Sequence, residues 1–70
     1  MTDNQKRIIR YIREFTAGHG FPPSLAEIGD AVGLTDGGVK YVLMGLRNLG
    51  VVDWDDRKAR TIRVIKEVGK

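Results

Sequence analysis

Ser24-Leu25-Ala26-Glu27-Ile28-Gly29-Asp30-Ala31-Val32-Gly33-Leu34-Thr35-Asp36-Gly37-Gly38-Val39 is the stretch on which the reading of this chain turns. Ser24 followed three residues later by Glu27 marks a helix start. The Ser24 hydroxyl accepts from the Glu27 backbone N–H, and the Glu27 carboxylate reaches back to the Ser24 N–H. Leu25, Ile28 and Val32 form a short apolar stripe, and Gly33 ends it by offering positive φ without steric cost. Thr35 then caps a further helix from about Asp36 to Leu49, with Val39, Val42, Leu43, Leu46 and Leu49 on its buried face and Gly50 closing it. Two helices joined by so tight a turn cross steeply and present the second one outward. The crossing needs a small residue where the backbones approach, and Gly29 supplies it. It also needs apolar anchors on both sides of the turn, and Ile28, Val32, Leu34, Val39 and Val42 supply those. The stretch reads as a helix-turn-helix.

The flanks extend the pattern. Upstream, Ile8, Tyr11, Ile12 and Phe15 recur at i, i+3, i+4, i+7, which predicts a helix from about Asp3 to Ala17. Thr2 or Asp3 caps its start, and Gly18 and Gly20 end it. Phe21-Pro22-Pro23 is an extended connector, because a proline disfavours helix in the residue before it. Downstream the period switches to two. Val52 and Trp54 share one strand face, Ile62 and Val64 share another, and the residues from Asp55 to Ala59 connect them. The expected fold is mostly α with a small β-hairpin: a winged helix-turn-helix of three helices and a two-stranded antiparallel wing. Residues 1–66 form the domain and 67–70 a C-terminal tail.

Size and composition narrow the function. Seventy residues make one domain with a thin core, since so short a chain buries only about 60% of its unfolded surface. The chain has no cysteine and one histidine, His19, which excludes thiolate sites, disulfides and a histidine-built zinc site. No nucleophile–base pair, metal cluster or phosphate loop can be assembled, so neither an enzyme nor a cofactor or small-molecule substrate is expected. Apolar runs are only a few residues long, too short to span a membrane. Met1-Thr2-Asp3-Asn4 lacks the basic-then-apolar layout of a secretory signal, so the expected location is the cytoplasm, at the nucleoid. A net charge of +3 favours polyanionic partners weakly; the arrangement of the charges matters more.

In a helix-turn-helix the second helix enters the major groove of double-stranded DNA, N-terminal half toward the bases. Its outward residues here are Asp36, Gly37, Gly38, Lys40, Tyr41 and Met44, with Asn48 further along. Lys40 suits guanine O6/N7 or a phosphate, and Tyr41 a phosphate or a thymine methyl. Asp36 favours the helix macrodipole. Gly37 and Gly38 remove side chains from base-reading positions and each cost about 1 kcal/mol relative to alanine. Either the backbone approaches DNA closely there, or this surface does not read bases. On the wing, Arg57 and Lys58 sit near the tip within reach of phosphates, and Arg60 follows at the base of the returning strand. Asp53, Asp55 and Asp56 share the hairpin and either pair with nearby arginines or form the turn. Ser24 starts a helix whose free N–H groups suit a phosphate. Lys6, Arg10 and Arg13 form an ordinary solvated face opposite the apolar stripe of the first helix. The candidate DNA-binding set is Ser24, Thr35, Asp36, Gly37, Gly38, Lys40, Tyr41, Met44, Arg57, Lys58 and Arg60. The alternative is a winged-helix protein-interaction module, with Tyr41, Met44 and Trp54 as a docking patch; otherwise Trp54 belongs to the core.

The order Gly20-Phe21-Pro22-Pro23-Ser24, then Ala26-Glu27-Ile28, then Val32-Gly33-Leu34, resembles the DNA-binding domain of LexA-type repressors. So do Leu46 through Gly50-Val51-Val52 and Arg60-Thr61-Ile62-Arg63-Val64-Ile65. The resemblance spans roughly residues 4 to 66. It implies a repressor that binds a palindromic operator as a homodimer and reads it through the third helix and the wing. Such repressors continue into a self-cleaving serine–lysine domain that this sequence does not contain, so the chain is either an excised domain or a stand-alone relative. Asp36-Gly37-Gly38 departs from the family's polar run, and the turn before it is one residue shorter. The operator sequence therefore does not transfer.

Overall fold

In the computed structural model, which describes residues 1–65, Thr2 opens the first helix with a reciprocal cap. Its hydroxyl accepts from Gln5 N–H at 3.1 Å, and Gln5 Oε1 accepts from Thr2 N–H at 3.0 Å. The helix α1 runs Asp3–His19, two residues past the expected end. Gly18 stays helical; the left-handed residue is Gly20, at φ +80°, whose N–H donates to Thr16 O. The last turn is held by the His19 and Phe15 rings, stacked with centroids 3.9 Å apart. The buried face of α1 is Ile8, Ile9 and Ile12, while Tyr11 and Phe15 are half-buried at its edge. Pro23 then sinks into the core and starts the turn into the second helix.

That helix, α2, spans Leu25–Val32 and starts with the expected Ser24–Glu27 box, at 2.8 and 3.2 Å. Gly33 ends it at φ +77°. The Gly29 carbonyl accepts from both Gly33 N–H and Leu34 N–H, at 2.8 and 3.0 Å, and so fastens the turn. A Cβ on Gly29 would lie 2.6 Å from the Leu34 carbonyl oxygen, which is why only glycine fits the crossing. The third helix, α3, spans Asp36–Asn48, with the Thr35 hydroxyl accepting from Gly38 N–H at 3.1 Å. It ends one residue before the expected Leu49. Leu49 is the C-cap and is 58% exposed, not buried, because Gly50 at φ +75° turns the chain immediately after it. Gly50 N–H returns to Arg47 O and Val51 N–H to Leu46 O, the double closure of a glycine-terminated helix.

The turn drops Val51 and Val52 into the core. The strands β1, Val52–Asp53, and β2, Arg63–Val64, pair antiparallel with Val52 opposite Val64 and Asp53 opposite Arg63. They are shorter than the expected hairpin, so Trp54 and Ile62 lie beyond the ladder. Ile62 is nevertheless buried, and Trp54 and Val64 pack against the core at its margin. The core joins α1 (Ile8, Ile12), α2 (Ile28), α3 (Val39, Leu43, Leu46) and the hairpin, and among the described residues it contains no polar side chain. Residue 66 and the expected tail 67–70 lie outside the described residues.

Candidate nucleic-acid interface

The start of α2 and the wing face one another across an open groove of about 410 Å³, with Lys40 of α3 also lining it. Ser24, Leu25 and Ala26 form one wall, and Arg57, Lys58, Ala59 and Arg60 the other. Helical geometry leaves the N–H groups of Leu25 and Ala26 without an intrahelical carbonyl, so that wall is partially positive. The opposite wall is a turn. Asp55 Oδ1 accepts from Arg57 N–H, and Asp55 O from Lys58 N–H. Thr61 Oγ1 accepts from Asp55 N–H and closes the neck of the wing. The turn pushes Arg57 into solvent, 90% exposed. Five of the candidate residues, Ser24, Lys40, Arg57, Lys58 and Arg60, thus share one groove.

A second set lies on the outer face of α3. Gly37, Tyr41 and Met44 fall at i, i+4, i+7, a single stripe. Tyr41 is 82% exposed and Met44 53%. Asp36 occupies the first turn, exposed at the positive end of the helix. Thr35 is exposed, but its hydroxyl serves the cap. Gly38 corrects the expectation of an outward position. It is half-buried, and a Cβ there would sit 3.3 Å from Thr35 Oγ1 and 3.6 Å from Leu34 Cβ. Gly37 does face open space.

The family model of the LexA DNA binding domain matches residues 1–61. The chain belongs to that family. The LexA repressor of Streptomyces coelicolor is 40% identical over 65 residues, which is 91% of this chain and 28% of that protein. The LexA repressor of Roseiflexus sp. is 37% identical over 91% of the chain and 30% of its own length, and that of Acidothermus cellulolyticus 38% over 91% and 24%. The chain therefore spans about a quarter to a third of these relatives. In this LexA-type DNA-binding domain the groove, lined by Asp55 and Asp56 as well as by the basic residues, and the α3 stripe are the exposed features of this face.

Two arrangements in this LexA-type domain were not legible beforehand. Two of the three acids of the wing, Asp53 and Asp56, are gathered by Arg47, at the end of α3. Its Nε donates to Asp53 Oδ1 at 3.0 Å, one terminal nitrogen to Trp54 O at 2.8 Å and the other to Asp56 Oδ2 at 3.4 Å. The guanidinium carbon lies 4.1 Å from the Trp54 ring centroid, and the indole N–H donates to Asp56. Asp53 is held below the usual carboxylate range by the Trp54 backbone N–H and by Arg47, and Asp56 by the Trp54 indole and by Arg47. Pairing with arginine and turn formation thus both occur, the latter at Asp55. The other arrangement is Arg60. Expected on phosphate, it forks onto Glu27, Nη1 to Oε1 at 2.7 Å and Nη2 to Oε2 at 3.0 Å. The Arg60 fork and the Ser24 N–H hold the Glu27 carboxyl at about 2, against an ordinary 4.5.

Among the described residues no helix is long and apolar enough to cross a membrane, and no group of acidic or histidine side chains is arranged to hold a metal ion.

Proposed function

We propose that this domain binds double-stranded DNA sequence-specifically, as the operator-recognition part of a transcriptional repressor that acts in the cytoplasm, at the nucleoid. The observation that carries the reading is the shared groove. It sets the phosphate-seeking start of α2 at Ser24 against the basic wing tip, beside the exposed stripe of α3. In this reading Ser24, Arg57 and Lys58 hold phosphates, and Lys40, Tyr41 and Met44 face the major groove. Gly37 lets the backbone of α3 approach the bases. Thr35 and Gly38 make the cap that aims the helix, and Asp36 stabilises its first turn. A homodimer on a palindromic site follows from the repressor reading, and no enzymatic role is assigned to the domain.

Titration of a selected site and a scrambled duplex at two salt concentrations tests this. Two phosphate-bound cations and a helix end predict a slope of log K on log salt of about −2 to −3. Lys58→Ala is expected to weaken both duplexes equally and to reduce the slope by about one. Tyr41→Ala is expected to cost about 1–3 kcal/mol on the selected site and much less on the scrambled one. Binding indifferent to salt rejects the reading. An unchanged ratio in Tyr41→Ala removes α3 as the reader and favours a protein partner for the exposed Tyr41 and Met44.

A further inference from the structure

Arg60 occupies an unusual backbone state. Its φ is +56°, the sole non-glycine positive φ among the described residues. An L-residue holds the left-handed region only where its surroundings fix it. Here they do. The guanidinium grips both oxygens of Glu27, 33 positions away in sequence, in the fork geometry that arginine and carboxylate share. It lies 5.2 Å from the Phe21 ring centroid and 3.4 Å from Pro22 O. Glu27 Oε1 at the same time accepts from Ser24 N–H. One carboxylate therefore joins the cap of α2 to the wing, the two elements that flank the groove described above.

Resting on the DNA-binding reading, we infer that Arg60 and Glu27 are positioning residues for DNA binding, a clasp that fixes the wing against the start of α2. The wing has two attachments of this kind. Arg47 ties its outer edge to α3, and Arg60 ties its returning strand to α2. Only the second joins the two elements that face one another across the groove, the start of α2 and the wing. A duplex backbone engages both walls at once when their spacing is already set. Ordering them on binding would cost affinity. Arg60 acts on DNA through that spacing.

This assignment reverses the sign expected from charge alone. Neutralising Glu27 makes the surface more positive and frees Arg60, so a directly binding Arg60 predicts tighter binding by Glu27→Gln. A clasp predicts weaker binding. Glutamine keeps Oε1 for the Ser24 N–H and for Arg60 Nη1 but sets an NH2 against Nη2, which removes the charge and one arm of the fork while sparing the cap. The test is a double-mutant cycle of Glu27→Gln and Arg60→Ala on a random-sequence duplex, with backbone 15N relaxation of the wing tip in the same four proteins. Each single variant is expected to weaken binding on the order of tenfold, and the double no further. Wing-tip order parameters are expected to fall in both. Tighter binding by Glu27→Gln, additive losses, or an unchanged wing tip in both variants overturns the inference. Should Arg60→Ala fail to fold, the sign of the Glu27→Gln effect still decides. Failure of the wild-type domain to bind DNA at low salt overturns the DNA reading instead, and the relaxation data then decide whether the clasp exists.

Discussion

Replacing Gly29 with alanine tests the crossing on which the fold depends. The added methyl would stand 2.6 Å from the Leu34 carbonyl oxygen and 3.4 Å from Val39 Cγ2. The oxygen is backbone and cannot rotate away. It belongs to a turn pinned by the two hydrogen bonds that the Gly29 carbonyl receives from Gly33 and Leu34. Relief requires the α2–α3 turn to move by several tenths of an ångström, against Val39, which is fully buried. Overpacking of this kind costs about 1–3 kcal/mol. Alanine returns about 0.5–1 kcal/mol of helix propensity. The difference runs from about 0 to 2.5 kcal/mol, and the expectation is a loss near its middle, about 1 kcal/mol, or roughly 4–8 °C in melting temperature for a domain this small. Gly37→Ala is the control. Nothing lies within 4 Å of its Cβ position, so the propensity gain stands alone and the melting temperature is expected to rise by a few degrees. Thermal melts followed by far-ultraviolet circular dichroism give both values. A Gly29→Ala protein that melts at or above the wild-type temperature refutes the close-approach argument.

Gly33→Val isolates backbone strain, because φ is +77° and no atom crowds the Cβ position; a loss of more than about 1 kcal/mol in the same melts is expected, and an unchanged melting temperature counts against it. The Glu27 carboxyl is expected to titrate at about 2 in the folded domain, read by 13C NMR, and to move back toward 4.5 in Arg60→Ala. Since the folded value is depressed, the clasp's contribution to stability is complete above the unfolded value near 4.5 and is lost as pH falls toward 2. A stability difference between wild type and Arg60→Ala that persists unchanged to the bottom of that window would contradict the pairing.

What was legible in the sequence was local. The Ser24–Glu27 box, the Gly33 turn and the Thr35 cap each close within a few residues, so spacing alone specifies them. Gly29 was legible because a tight turn between crossing helices demands a small residue. Helix ends were less so. Gly18 does not stop α1, since glycine permits a left-handed turn without requiring one, and Leu49 is exposed because the turn at Gly50 follows it at once. The charges on the wing were the hardest to read. Arg60 looks like a phosphate ligand beside Arg57 and Lys58, and its partner is on α2, far back in the sequence. Arg47 carried no sequence signal at all, because its three acceptors come together only after the chain reverses at Gly50. Gly38 was misplaced on the outward face for a subtler reason. The N-cap folds the Thr35 hydroxyl over it, and helical periodicity does not include the cap.

The Arg47–Trp54 stack has a practical consequence. Trp54 is the chain's only tryptophan, so its emission belongs to a single environment. That environment is made of a cation 4.1 Å above the ring and the Asp56 carboxylate on the indole nitrogen, both in contact with the wing. Any ligand that shifts the wing changes the electric field across the indole and hence the wavelength and yield of its fluorescence. The domain carries an intrinsic optical probe on its wing, and wing movement can be followed in real time without a label.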